Sequence, residues 1–159
     1  MYRSRSQQED SVMGETPKNT QKIGCLIPCY RGSAITLSLI DKALNFTDYV
    51  ILIDDACPNQ TGRLVEKEFT RNDKVKVIFN SYNQGVGKSC QDGIRFLLEN
   101  NCTIVIKIDA DGQMDPNLIP RLIQPIVEGK AEAVKGNRFT CIDDVLSMPR
   151  IRIIGNLGL

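Results

Sequence analysis

Two carboxylates one residue apart, Asp109 and Asp111, flank Ala110 at the end of the apolar run Ile104-Val-Ile-Lys-Ile108 and precede Gly112. Four apolar residues in five read as a buried strand, which stops where charge and a glycine begin. At the carboxyl end of a parallel strand, such a pair lies in the crevice where open α/β sheets bind ligands. Carboxylates this close repel each other. A divalent hard cation that takes oxygen ligands and bridges them to a diphosphate relieves that repulsion. Alone, Asp-x-Asp-Gly is as ordinary as any surface turn. Its weight comes from what the other strand ends carry.

Those ends follow from the pattern of the chain. Ile23 to Pro28 is a short apolar strand, and Ser33 to Leu44 has helical spacing, with Ile35, Leu39, Ile40 and Leu44 roughly on one side. Tyr49 to Ile53 is a second strand, followed by a polar turn and a helix from Gly62 to about Arg71 that Thr61 would cap. Val75 to Phe79 is the third strand, and the turn-rich Asn80–Gly87 opens a helix to about Leu98. Thr103 to Ile108 is the fourth. A helix from Pro116 to Val127 must accommodate Pro120 and Pro125, and Ala131 to Val134 is a weaker fifth strand. Apolar strands alternating with helices predict a mostly parallel sheet sandwiched by helices, an α/β fold. If all the strands are parallel, Pro28-Cys-Tyr30, Asp54-Asp55, Asn83 to Lys88, Asp109-Ala-Asp111 and Gly136-Asn-Arg138 meet at one carboxyl edge.

Composition narrows the chemistry. Twenty basic and 19 acidic residues leave a net charge of +1, which gives no sign of nucleic-acid binding. The chain has no histidine, which excludes Ser-His and Cys-His nucleophiles and imidazole-ligated zinc. The six cysteines form no C-x-x-C pair, and Cys25 and Cys102 fall in or beside apolar runs, which fits a reduced, cytosolic compartment. Residues 1–22, rich in Ser, Gln, Glu, Lys and Asn, read as a disordered leader, not a signal peptide. No stretch approaches the ~18 apolar residues of a membrane span.

Single motifs stay ambiguous. Asn83-Gln-Gly-Val-Gly-Lys-Ser89 has the tail of a phosphate loop, but Tyr82 stands where its first glycine belongs, and Cys90 stands where the dinucleotide fingerprint needs its third. What remains is a glycine-relieved turn into a helix N-terminus with Lys88 nearby, suited to an anion or to a tight turn. Asp54-Asp55 is either a turn or an acceptor for a nucleobase edge or ribose hydroxyls. Tyr30 either packs or stacks on a base. Arg138 is either a solvated charge or a bidentate phosphate clamp.

Taken in order, Ile-Pro-Cys-Tyr30, Ile-Asp-Asp55-x-x-Pro-Asn, Asn83-x-Gly-x-Gly-Lys88, Asp109-Ala-Asp-Gly-Gln-x-Asp-Pro116 and Lys135-Gly-Asn-Arg-Phe139 resemble the motifs of family 2 inverting glycosyltransferases. The resemblance runs from about Ile23 to the end and is closest to the dolichyl- or polyprenyl-phosphate mannosyl- and glucosyltransferases. It implies the Rossmann-like GT-A fold, use of Mg²⁺ or Mn²⁺, a nucleotide-diphospho-sugar donor and a lipid-phosphate acceptor. By resemblance, Pro28, Tyr30 and one of Asp54 or Asp55 hold the nucleoside. Asp109, Ala110 and Asp111 line the nucleotide site, and Asp109 and Asp111, with Gln113, hold the metal. Arg138 meets the diphosphate or sugar, and Lys88 is a weaker donor contact. The resemblance assigns no catalytic residue.

Two departures stand out. Gly32 occupies the place of a usual family glutamate, and Met148 to Asn156 resembles the start of a membrane-proximal amphipathic helix, after which family members continue. The expected plan is therefore a leader (1–22), a donor-binding domain (23–146) and the beginning of an amphipathic segment (147–159), C-terminally truncated. On this plan the protein is cytoplasmic or peripheral at the cytoplasmic face of a membrane, with that surface or a missing C-terminal segment as partner. A metal-dependent nucleotidyltransferase and a non-catalytic donor-binding module are the alternatives from other classes.

Overall fold

A computed structural model describes residues 21–136. Its elements are β1 (Ile23–Cys29), α1 (Ile35–Ala43), β2 (Tyr49–Asp54), α2 (Thr61–Glu68), β3 (Val75–Phe79), α3 (Val86–Glu99), β4 (Ile104–Lys107) and, after a 3₁₀ turn at Pro116–Leu118, α4 (Ile119–Val127). The strands form one sheet in the order β3-β2-β1-β4, and every neighbouring pair is parallel. β1 lies between β2, in the register Gly24↔Tyr49 to Cys29↔Asp54, and β4, in the register Ile23↔Ile104 to Leu26↔Lys107.

Because successive strand side chains point to opposite faces, the apolar runs fill two cores at once. Cys25, Ile27, Cys29, Val50, Leu52, Ile104 and Ile106 face one side, where Leu39 and Ile40 of α1, Val65 of α2 and Ile119 and Ile123 of α4 cover them. Leu26, Ile51, Ile53 and the partly buried Val105 face the other, under Leu97, Phe96 and Cys90 of α3. α3 comes very close to β1. A methyl added at Gly93 would lie 2.1 Å from Leu26 Cδ1, and one at Gly24 would lie 2.6 Å from Leu97 Cδ2.

Three expectations change. Ala131 to Val134 is not a strand: these residues are irregular and, past Ala131, exposed. The N–H groups of Lys130 and Ala131 both donate to the Pro125 carbonyl (2.8 and 3.1 Å), so the chain wraps around the end of α4 and does not run out to pair with β4. Thr61 is the first residue of α2 and not its cap. Gln60, in the left-handed region (φ 52°), precedes it without a side-chain cap. The helix from Pro116 is divided. Asp115 accepts from Asn117 N–H and Pro116 opens the 3₁₀ turn, whereas Pro125 falls inside α4, which ends at Val127.

Gly93→Ala measures the α3–β1 approach. Alanine favours helix by about 1 kcal/mol over glycine. Its Cβ, however, would strike Leu26, a fully buried side chain with nowhere to swing. Overpacking of this kind costs about 1–3 kcal/mol. Urea denaturation should therefore show a net loss of stability, and a gain would mean that α3 has room to lift.

Candidate functional site

The carboxyl ends of the strands surround a cleft of ≈ 370 Å³. β1 and its following loop supply Pro28, Cys29, Tyr30, Arg31 and Gly32. The position just after β2 supplies Asp55, the loop before α3 supplies Asn83 and Gly85, and the first turn of α3 supplies Val86 and Ser89. The turn after β4 supplies Asp109, Ala110 and Asp111. Of the residues singled out in the sequence, the cleft thus brings together Pro28, Tyr30, Asp55, Asp109, Ala110 and Asp111.

The adjacent aspartates at the end of β2 part company. Asp54, on the α2 side of the sheet, is absent from the cleft lining. Its Oδ1 accepts from Cys57 N–H (2.7 Å) and its Oδ2 from Gly62 N–H (2.8 Å), so this buried carboxylate ties down the start of α2. Asp55, one residue on, turns to the other side. Its Oδ1 accepts from Asn80 Nδ2 (2.8 Å) and Gln84 N–H (2.9 Å), and its Oδ2 from Gly85 N–H (2.8 Å). Burial by itself raises the Asp55 pKa, but the combined donors of Gln84, Asn80, Gly85 and Ser89 outweigh it and hold the group below its ordinary range.

The other two acids are less engaged with the protein. Asp109 is partly exposed and pairs with Lys107 Nζ at the end of β4. Asp111 is exposed, and its Oδ1 accepts from Gln113 N–H (3.0 Å). Tyr30 presents a ring 48% exposed, and the Arg31 guanidinium lies 5.4 Å from its centroid. Cys29 is no nucleophile: burial first, and the neighbouring Cys57 second, push its thiol up to about 12.

Lys88 lies outside the cleft lining and pairs with Asp92 one turn along α3. Gly136 is exposed at the last described position, and Arg138 lies outside the described residues. Arg31, Asn83, Val86 and Ser89 were missed as individuals. Ser89 is one helical turn after Gly85 and donates to its carbonyl (3.2 Å), a position that a helical wheel started at Gly85 would have given. No sequence signal points to Arg31 beyond its place beside Tyr30. Gly32 also has a physical reason here. A Cβ at that position would lie 2.6 Å from Cys29 Sγ and 3.1 Å from Thr61, so the space a glutamate would need is already filled.

No group of three or more His, Cys, Asp or Glu among the described residues could hold a metal by itself. The donor chemistry nevertheless suits a hard cation. Two carboxylates from one turn face the same cleft, and Mg²⁺-type ions are commonly held by one or two carboxylates with substrate phosphates and water completing the shell.

Asp55→Asn replaces one acceptor oxygen with an NH₂ that would face the Asn80 or backbone N–H donors, at a cost of about 1–3 kcal/mol. The pH dependence has a definite sign. A depressed carboxyl contributes stability that is complete above its ordinary value of 3.8 and is lost as pH falls through the lower folded value. Urea midpoints followed from about pH 6 to about pH 2.5 should therefore fall more steeply for the wild type than for Asp55→Asn. Parallel curves would show that the Asp55 network carries no net stability.

Comparison with known proteins bears on the whole of this arrangement. The family model described as "Glycosyl transferase family 2" matches residues 25–157. A UDP-N-acetylglucosamine–dolichyl-phosphate N-acetylglucosaminyltransferase of Methanococcus voltae is 29% identical over 147 residues, covering 84% of this chain and 59% of that protein. An undecaprenyl-phosphate mannosyltransferase of Micrococcus luteus is 29% identical over 116 residues (71% of this chain, 46% of that one). A dolichol-phosphate mannosyltransferase of Pyrococcus furiosus is 30% identical over 141 residues (86% and 39%). The chain spans about half the length of the curated relatives it matches. With a family match over most of its length and a four-stranded parallel α/β sheet beneath it, the chain belongs to glycosyl transferase family 2.

Proposed function

We propose that this chain binds a nucleotide-diphospho-sugar and serves metal-assisted transfer of the sugar, with inversion, to a polyprenyl- or dolichyl-type phosphate. The observation that carries this reading is the acidity of the cleft. Asp55, Asp109 and Asp111 all line it, against Arg31 in the lining and Lys107 paired with Asp109, and a divalent cation at Asp109 and Asp111 would offset the repulsion a diphosphate meets there. Mg²⁺ or Mn²⁺ held by Asp109 and Asp111, with Gln113 beside them, would neutralise the charge that develops on the leaving diphosphate. Pro28 and Tyr30 offer an apolar wall and a stacking ring for the nucleoside. Asp55 holds the 80–87 loop against it. Arg138 is assigned to the diphosphate or sugar, and Lys88, paired on α3, is a lesser candidate.

The described residues of the cleft favour one acceptor class. Transfer to a hydroxyl needs a general base whose pKa lies near the working pH. The chain has no histidine, and among the described residues that line the cleft Asp55 is acidified by its donors, Cys29 holds its proton, and Asp109 and Asp111 are assigned to the cation. A lipid phosphate needs no such base, because it is already anionic near pH 7. The names of the relatives agree, since each of the three acts on a lipid-linked phosphate. Such an acceptor would bring the protein to a membrane surface. No helix among the described residues is long and apolar enough to cross one.

Calorimetry with UDP and GDP, with and without Mn²⁺, tests the donor half. Binding should strengthen at least about tenfold with metal, and Asp111→Asn should remove most of that gain, about 1–3 kcal/mol. Equal affinity with and without metal, in both proteins, would remove the metal assignment. Arg138→Lys keeps the charge but loses the two-pronged geometry, so donor affinity should fall while the melting temperature hardly moves. Unchanged affinity would return Arg138 to the solvated surface.

A further inference from the structure

The turn that carries Asp109 and Asp111 extends past the last residue of β4, and its position is set from beneath. Ile108 N–H donates to Leu26 O (2.9 Å), the last ladder-like bond before the turn. Ala110 is only 7% exposed and packs into the α1-side core while still lining the cleft with Asp109 and Asp111, so the middle of the turn is anchored and its two acidic neighbours are less buried. The first turn of α1 meets it there. Thr36, fully buried on that helix, donates through Oγ1 to the Ala110 carbonyl (3.2 Å) across a sequence separation of 74 residues. The preceding residue, Ile35, covers Gly112. A Cβ on Gly112 would lie 2.7 Å from Ile35 Cδ1, and its φ of +75° is one that glycine alone adopts without strain.

We infer that Thr36 is a positioning residue for the Asp109/Asp111 pair, with Ile35 as its apolar companion, so that the first turn of α1 holds the turn from which both carboxylates reach a divalent cation. This inference rests on the metal reading above and adds to it the group that holds the ligands in place. Without the hydroxyl, the Ala110 carbonyl would be a buried acceptor with one donor fewer, and the turn would have to move toward water to recover it. Any such movement carries Asp109 and Asp111 with it. Small hard cations tolerate little distortion of their oxygen shell, and loss of a partner behind the ligands commonly weakens metal binding about 10–100-fold.

Thr36→Val removes the hydroxyl at nearly constant volume, and Thr36→Ser restores it. Three readouts apply to both: Mn²⁺ affinity measured calorimetrically at fixed UDP, amide hydrogen exchange across residues 109–113, and melting temperature. The expected result for Thr36→Val is Mn²⁺ affinity about 10–100-fold weaker and faster exchange confined to the turn, with β1 and β2 protected as in the wild type and metal-free UDP binding unchanged. Thr36→Ser should return both metal affinity and exchange toward wild-type values. Ile35→Ala, at a position 49% exposed and therefore safe for folding, should speed exchange at the same turn and weaken Mn²⁺ several-fold even if Thr36→Val fails to fold. Wild-type metal affinity and exchange in Thr36→Val or, if that variant does not fold, in Ile35→Ala would overturn the proposal. A loss of protection spread evenly through the sheet, unrelieved by serine, would also overturn it. If the wild type itself binds UDP without regard to Mn²⁺, the metal reading fails, and the exchange data still decide whether Thr36 sets the turn.

Discussion

Two adjacent buried carboxylates at the end of the central strand β2 hold this molecule in shape. Placing Asp54 and Asp55 next to each other away from water is costly, and the cost is offset by hydrogen-bond donors rather than by positive side chains. The alternation of the strand sends them in opposite directions. Asp54 collects the N–H groups of Cys57 and Gly62 at the start of α2, while Asp55 collects those of Gln84 and Gly85 at the start of α3. The two helices lie on opposite faces of the sheet, so one dipeptide fastens both layers at their N-termini, where the helix dipole also favours negative charge. Asp54 thereby serves architecture alone. Asp55 serves architecture and also presents its edge to the cleft.

The sheet sets where the chemistry lies. Because all the strands run the same way, every loop that leaves a strand end opens on the same side, and residues from Pro28 to Asp111 share one cleft despite their distance in sequence. The apolar parts of the strands fix this with little freedom. A shift of one residue in β1 or β2 would exchange the two cores and set Leu26 against α1 instead of α3.

The same alternation explains what could be read in advance and what could not. The four strands and the helices between them were legible because their apolar residues recur with the period of each element. The convergence of Pro28, Tyr30, the Asp54-Asp55 pair and Asp109–Asp111 followed from the parallel direction expected of the strands. Which member of Asp54-Asp55 faces the cleft depends on the phase of β2 relative to two separate helices, a tertiary relation that the residue types do not record. Ala131 to Val134 looked like a strand because Ala and Val alternate with Glu. Its fate was decided by Pro125, whose carbonyl draws in the N–H groups of Lys130 and Ala131. Lys88 was attractive for its place after two glycines, but Asp92 lies one helical turn away and takes its charge. Thr36 gave no signal at all, since a threonine among the apolar residues of a helix reads as a neutral filler until its carbonyl partner appears from the far end of the fold.

The register of β1 carries a consequence in time. Its ladder with β2 joins segments close in sequence, whereas its ladder with β4 starts beside a contact between Lys22 and Thr103, 81 residues apart. Closing the longer loop costs more chain entropy, so the β1–β4 pairing is the costlier of the two closures. Synthesis runs in the same direction, because the segment carrying Asp109 and Asp111 emerges after β1, β2, β3 and α3. Among the residues that line the cleft, Arg31 and Asp55 are thus made before the acidic turn, which is the last piece of its wall to be synthesised.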